Sequence, residues 1–266
     1  MLLAKSCHTK DNVKSRGTVR LGSLHEYRNT EIQQIQDRKE GTLEFNLKFD
    51  GVVAVNKREL ALLLQGLGII DDSIELPNYY PGAFSVYVEN WDDIGRTDES
   101  ILLRDCSLVV SRQVHNSFIF CMSKVRMMKD ARGLFPEYDD CWYVKYTDID
   151  YLGCALGNAL LKKVRESLKT DTPLISKDAK PDELEVQVIA QMVKYCPREV
   201  HIRSGEGLKF DSFMRAMETM AFIKPESFAH ECEFRFQFFI EDKENRYHPL
   251  VNSVILDVDP TDIKAL

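Results

Sequence analysis

The run Leu43-Glu44-Phe45-Asn46-Leu47-Lys48-Phe49 alternates apolar and polar residues with the period of a strand, and Asp50-Gly51 then leads into the β-branched run Val52–Val55. The spacing predicts a two-strand hairpin that turns at Asp50-Gly51, which commits this part of the chain to a sheet. Strand-like patterns recur. In Thr18–Leu24, Val19, Leu21 and Ser23 alternate with Arg20 and Gly22, and in Phe84–Trp91, Phe84, Val86 and Val88 share a face. Ser107–Ser111 and Ser117–Met122 flank the turn-like Gln113–Asn116 and read as a further strand pair. Cys141–Tyr146, Glu185–Tyr195, Glu233–Phe239 and Ser253–Val258 complete the set.

Helical patterns are fewer. Lys57–Gly66 is rich in helix formers and meets a stop at Gly66-Leu67-Gly68. From Ile149 to Leu168, Leu152, Leu156, Leu160 and Val164 recur at four-residue intervals, and Asp148 is placed to cap that helix. A third helix is expected over Asp211–Met220. Thr30–Gly41 carries little to bury and reads as a solvated loop or loosely held helix. Strands outnumber helices and follow one another without a strand-helix repeat. That order predicts an α+β fold, a largely antiparallel sheet with flanking helices. We expect a single domain over residues 1–266, with an insertion over 42–104 and a connector over 170–182.

Composition narrows the function classes. The 266 residues are 44% apolar and 29% charged, with a formal net charge of −7, which excludes disorder, fibrous structure and a surface wholly devoted to nucleic acid or anionic lipid. The basic run Lys124, Arg126, Lys129 and Arg132 is too short to reverse that balance. Seven scattered cysteines are expected to be reduced thiols, which points to the cytoplasm. The apolar stretch Leu60–Ile70 is interrupted by Gln65 and two glycines and falls short of the roughly 20 residues a bilayer needs. Met1-Leu2-Leu3-Ala4 is too brief for a signal core, so no membrane partner is expected. Phosphate-binding glycine loops, Cys-x-x-Cys pairs and His-Glu-x-x-His are absent, so no metal site is expected.

Chemistry is suggested by Phe228-Ala229-His230-Glu231-Cys232-Glu233-Phe234-Arg235-Phe236. On a strand, Glu231, Glu233 and Arg235 would share one face, opposite Cys232, Phe234 and Phe236. Two readings follow: a solvent-facing edge with a Glu-Arg ladder, or two carboxylates lining a cleft, one stabilising positive charge and the other orienting a nucleophile. Two other positions favour the second. Arg20 lies inside an early strand, where a guanidinium suits a phosphate or pyrophosphate, and Ser123 ends the aromatic strand Phe118-Ile119-Phe120-Cys121-Met122-Ser123.

A strand arginine, an aromatic strand ending in serine and a strand bearing Glu-x-Glu, in that order, resemble the Arg-Ser-Glu class of ADP-ribosyltransferases. The resemblance implies a split antiparallel sheet gripping NAD as substrate. Carried over residue by residue, Arg20 would hold the dinucleotide phosphates and Ser123 would organise the nicotinamide ribose. Glu233 would stabilise the oxocarbenium-like transition state, and Glu231 would orient the acceptor, a protein or a nucleic acid. Tyr27 is placed to stack on a nicotinamide or base, and Arg28 to add a second phosphate contact, if the early loop carrying Asp37 folds over the cleft. Alternatively Tyr27 packs in the core and Arg28 pairs with Glu26 or Glu31.

Val19–Arg28, Asp37–Gly41, Ile119–Ser123 and Lys224-Pro225-Glu226-Ser227-Phe228 leading to Glu231–Arg235 also look like a large group of uncharacterised bacterial proteins met in mobile-element and phage-defence settings. That likeness implies an intracellular toxin or effector with a partner protein of a defence system. Two further readings stand beside the transferase. One is a metal-dependent nuclease using Glu231 and Glu233 with Asp92-Asp93 or Asp139-Asp140. The other is a non-catalytic sensor or protein-binding module.

Overall fold

Residues 1–29, 37–64, 81–204, 215–217 and 219–266 are described by the structure, a computed structural model. The chain begins with β1 (Leu2–Cys7), α1 (Val13–Arg16), β2 (Thr18–Ser23) and α2 (Leu24–Asn29). It continues through β3 (Thr42–Lys48), β4 (Val52–Asn56), α3 (Lys57–Leu63), β5 (Pro81–Arg96) and β6 (Ser100–Val114). Next come β7 (Phe118–Val125), β8 (Asp140–Lys145), α4 (Ile149–Ser167), β9 (Glu185–Met192), the two-residue β10 (Lys194–Tyr195) and β11 (Glu199–Arg203). The two-residue β12 (Ile223–Lys224), β13 (Glu233–Glu241), the two-residue β14 (Arg246–Tyr247) and β15 (Ser253–Asp257) finish it. The fold is mixed α+β, strand-rich, with curled and largely antiparallel sheets.

The chain divides into two compact units. The first comprises residues 1–40, 116–196 and 224–266, and the second residues 41–115 and 197–223. The second unit thus begins where the insertion was placed, extends beyond it to His115, and takes a further segment from later in the chain.

In the first unit, Phe234, Phe236 and Phe238 of β13 and Phe118, Phe120 and Met122 of β7 form one buried cluster with Leu152, Leu156, Leu160 and Val164 of α4. The four-residue spacing puts that stripe on one side of the helix, and each fully buried side chain contributes about 1.5–3 kcal/mol. Close approach depends on two glycines: a Cβ at Gly157 would lie 3.2 Å from Val188, and one at Gly153 would lie 3.5 Å from Phe236. Asp148 does not cap α4 through its side chain; its carboxylate accepts from Lys264 Nζ at 3.1 Å instead. The connector over 170–182 has no helix or strand and is anchored by buried Ile175 and Ala179.

The sheet of the first unit splits. Along one edge of β7, β13 pairs continuously from Phe238↔Phe118 to Glu233↔Ser123. The other edge is shared: β2 pairs at Ile119 and Phe118, and β1 pairs at Val125, Lys124 and Ser123. Phe120, Cys121 and Met122 lie between these two pairings. Away from β7, β1 pairs with β8 and β2 with β15, so the two strands belong to separate flanks.

The second unit corrects two expectations. β3 and β4 do not pair with each other. Both run antiparallel to the 15-residue β6, β3 against Ser107–Gln113 and β4 against Ser100–Arg104. Asp50-Gly51 therefore makes a jog in a line of two strands rather than a reversal. Gly51 has φ +73°, its N–H donates to Asp105 Oδ1 at 2.7 Å, and Asp105 itself has φ 45°. Paired αL-prone residues serve a bulge as readily as a hairpin. Nor do β6 and β7 pair: β6 joins the sheet of the second unit and β7 that of the first. β11 pairs parallel with β3 and so departs from the antiparallel order. The stop at Gly66-Leu67-Gly68, residues 211–214 and 218 of the third expected helix and most of the segment Thr30–Gly41 fall outside the described residues.

Candidate functional site

Strand alternation decides which residues of the split sheet face the candidate site. Phe118, Phe120 and Met122 turn to the core, leaving Cys121 and Ser123 on the opposite face of β7. Antiparallel register sets Arg235 beside Cys121 and Glu233 beside Ser123. Val19 and Leu21 belong to the core, so Arg20 points the other way on β2. The result is a cavity of about 130 Å³ bordered by Arg20, Tyr27, Ser123, Glu231 and Glu233. Five of the six residues singled out from the sequence, drawn from separate segments, border one cavity. Arg28 is the exception: it borders neither this cavity nor the neighbouring one described below, and its Nε donates to the carbonyl of Glu40 at 2.6 Å. Glu31, one of the two partners expected for it, lies outside the described residues.

Glu231 and Glu233 do not share a continuous strand. Glu231 ends a 3-10 segment, Glu226–Glu231, and Cys232 takes φ 45° before β13 begins. Both carboxylates nonetheless meet one ammonium, with Lys224 Nζ at 2.7 Å from Glu231 Oε2 and 2.7 Å from Glu233 Oε2. The other oxygen of Glu233 accepts from Arg235 Nε at 2.7 Å, and Arg235 reaches Glu40 Oε1 at 2.6 Å. All five groups are buried, and β13 is flanked by β7 and β9, so the reading as a solvent-facing edge is excluded. The backbone N–H of Glu233 donates to the Tyr195 hydroxyl at 2.8 Å, which fixes the start of the strand.

Environment drives the two carboxyls apart. Burial alone would raise Glu233, but Arg235 and Lys224 outweigh it and hold the group well below the usual carboxylate range. Burial also raises Glu231, Lys224 opposes this incompletely, and a hydrogen bond with Glu233 adds to the rise. Burial would lower Lys224, yet Glu233, Glu40 and Glu231 keep its ammonium above the ordinary lysine range. Of two neighbouring carboxyls, one is firmly ionised and the other retains a proton more readily. Such divergence suits a division of labour between charge stabilisation and proton transfer.

Compared with protein-family models, curated proteins and solved structures, the chain matches none of them.

Arg20 is not an open guanidinium. It is ion-paired with Glu26 of α2, whose first turn folds back on β2. A Cβ at Gly22 would lie 2.8 Å from both Glu26 Oε2 and Tyr27 Cε2, so glycine permits this close return. Tyr27 is only partly covered and borders the cavity, and burial raises its phenol. The N–H of Asp37 donates to the Tyr27 carbonyl at 3.1 Å.

Sequence reasoning missed Lys5, Lys224 and Glu40. Lys224 and Glu40 lay inside quoted phrases without a role, because a lysine in Ile223-Lys224-Pro225 announces nothing until its two carboxylate partners are known. Asp92 and Asp93, considered as nuclease ligands, pair with Arg104 and Arg96 within the second unit. Among the described residues, no group of three or more His, Cys, Asp or Glu side chains is arranged to hold a metal ion. Asp139 sits 3.8 Å from His8 and accepts from the backbone of Thr9. All seven cysteines are free, and no described helix is long and apolar enough to cross a membrane.

Proposed function

We propose that this chain cleaves the nicotinamide glycosidic bond of NAD, on an ADP-ribosyltransferase-like split sheet, and passes the ADP-ribosyl group to water or to a macromolecular acceptor. The observation that carries this reading is the meeting of Arg20, Ser123 and Glu233 at one cavity in the fork of the sheet. They arrive from three strands separated by long stretches of sequence.

Cleavage leaves positive charge on the anomeric carbon as the C–N bond breaks and neutral nicotinamide departs with the bonding electron pair. The ionised Glu233 is held rigidly by Arg235 and Lys224, so its negative charge is available without reorganisation. Glu231 accepts a proton from the incoming hydroxyl as its oxygen bonds to the anomeric carbon; its raised pKa brings it nearer to neutrality, where a base is most useful. Ser123 lies beside Glu233 in the ladder and provides a hydroxyl for the ribose. Tyr27 offers an aromatic face.

The test is to incubate the protein with NAD, alone and with cell lysate, and to follow free nicotinamide and attached ADP-ribose beside Glu233→Gln. Release by the wild type that is lost in a folded Glu233→Gln variant supports the reading. No release under either condition, or equal release by both proteins, overturns it.

A further inference from the structure

The fork leaves a backbone carbonyl of β7 without a strand partner, and a lysine fills the gap. Cys121 lies between the β2 and β1 pairings, and its carbonyl accepts from Lys5 Nζ at 3.0 Å. The Lys5 ammonium is 5.0 Å from the centre of the Phe120 ring. Among the described residues no carboxylate lies within ion-pair distance of it. It stands at the boundary of two cavities, bordering both the one that holds Glu231 and Glu233 and a second of about 280 Å³.

That second cavity is cationic in an acidic protein. Lys5, Arg16 and Arg20 border it against one carboxylate, Asp11. Arg16 makes no side-chain hydrogen bond or ion pair among the described residues, whereas Arg20 is already paired with Glu26. Tyr138 and Trp142 add aromatic walls. Arg16 is exposed where it borders this cavity, and the Lys5 ammonium stands in a gap of the sheet with one carbonyl partner. A half-buried ammonium with one carbonyl for a partner has donors left for an anion.

We infer that Lys5, supported by Arg16, is the principal anion anchor of this protein and receives the diphosphate of a nucleotide in the second cavity, with Arg20 in a lesser role. This extends the proposed function by assigning the phosphate contact to a residue of β1, and rests on that reading only for the identity of the nucleotide. Burial, countered in part by Glu233, holds the Lys5 ammonium below the ordinary lysine range, and Arg20 adds repulsion. A bound diphosphate offsets both effects.

The experiment is calorimetric titration of wild type, Lys5→Met, Lys5→Arg, Arg16→Ala and Lys163→Ala with ADP and with inorganic pyrophosphate, alongside thermal unfolding. Lys5→Met keeps the aliphatic stem over Phe120 and is expected to lose about tenfold or more in affinity for both ligands, the scale of one charge-assisted contact. Lys5→Arg is expected to recover part of that loss, Arg16→Ala to weaken binding less than Lys5→Met, and Lys163→Ala to match the wild type. Wild-type affinity in a folded Lys5→Met protein overturns the inference, as does absence of binding to either ligand by the wild type. Steady-state turnover separates the two proposals. Nucleotide binding through Lys5 without nicotinamide release sustains the anchor and removes the NAD reaction; nicotinamide release with an unchanged KM in Lys5→Met sustains the reaction and removes the anchor.

Discussion

Arg112 of the second unit and Arg235 of the first are almost completely buried, and the two are held in different ways. Arg112 of β6 and Arg235 of β13 are each 1% exposed. Arg112 gives Nε and one terminal nitrogen to the carbonyls of Leu62 and Leu63, where α3 ends, and lies 4.5 Å from the centre of the Phe84 ring. It closes a helix and stacks on an aromatic ring, work that completes the fold of the second unit. Arg235 binds two carboxylates, and one of those, Glu233, shares Lys224 with a third. Its network borders a cavity. Burial of a charge is therefore no mark of function by itself; what matters is whether the partners form a titrating group that faces space.

Removing each charge in turn separates the two arginines. The largest effect is expected for Arg235→Met, which leaves Glu233 and Glu40 buried without this cation and should cost about 3–5 kcal/mol of unfolding free energy in urea. Arg112→Met removes carbonyl contacts and should cost about 1–3 kcal/mol. Equal losses, or a greater loss at Arg112, would contradict the distinction.

Next in size is Glu233→Gln, expected to lower nicotinamide release by about a hundredfold or more, the loss typical of a group that stabilises transition-state charge. The same variant sharpens the electrostatic side of the comparison. Glu233 has a folded pKa below its unfolded value, so its stabilisation is fully present above the unfolded value of about 4.3 and is lost as pH falls through the depressed folded value. Wild type should therefore lose stability steeply on acidification below about 4.3, and Glu233→Gln should show a shallower fall. Parallel acid limbs would remove Glu233 as the source.

Gly22→Ala is expected to cost about 1–3 kcal/mol, because its Cβ must displace Glu26 and Tyr27, and to raise the KM for any nucleotide that contacts Tyr27. The smallest effect belongs to Lys163→Ala. Its 3.6 Å pair with Asp257 is exposed, and the loss should stay below about 0.5 kcal/mol by thermal unfolding.

Legibility of the fold followed local rules. β2 and α4 were readable because alternation and four-residue spacing alone put Val19, Leu21, Leu152 and Leu156 in the core. Asp50-Gly51 misled because positive φ serves both a reversal and a jog. The choice was made by the length of β6, which offers separate stretches to β3 and β4. The candidate site was readable at Arg20, Ser123 and Glu233, whose residue types stand out in apolar strands. Lys5 and Lys224 were not readable, since the role of Lys224 depends on distant carboxylates and that of Lys5 on a gap that only the diverging register of β1 and β2 creates.

The central claim is that Arg20, Ser123 and Glu233 act on one substrate in one cavity. The most direct measurement is the kcat and KM of nicotinamide release from NAD for wild type, Arg20→Met, Ser123→Ala and Glu233→Gln side by side. A loss in kcat is expected for Glu233→Gln and smaller losses in kcat/KM for the other two, with all four proteins folded. Turnover that is absent in the wild type, or that survives all three substitutions, would contradict it.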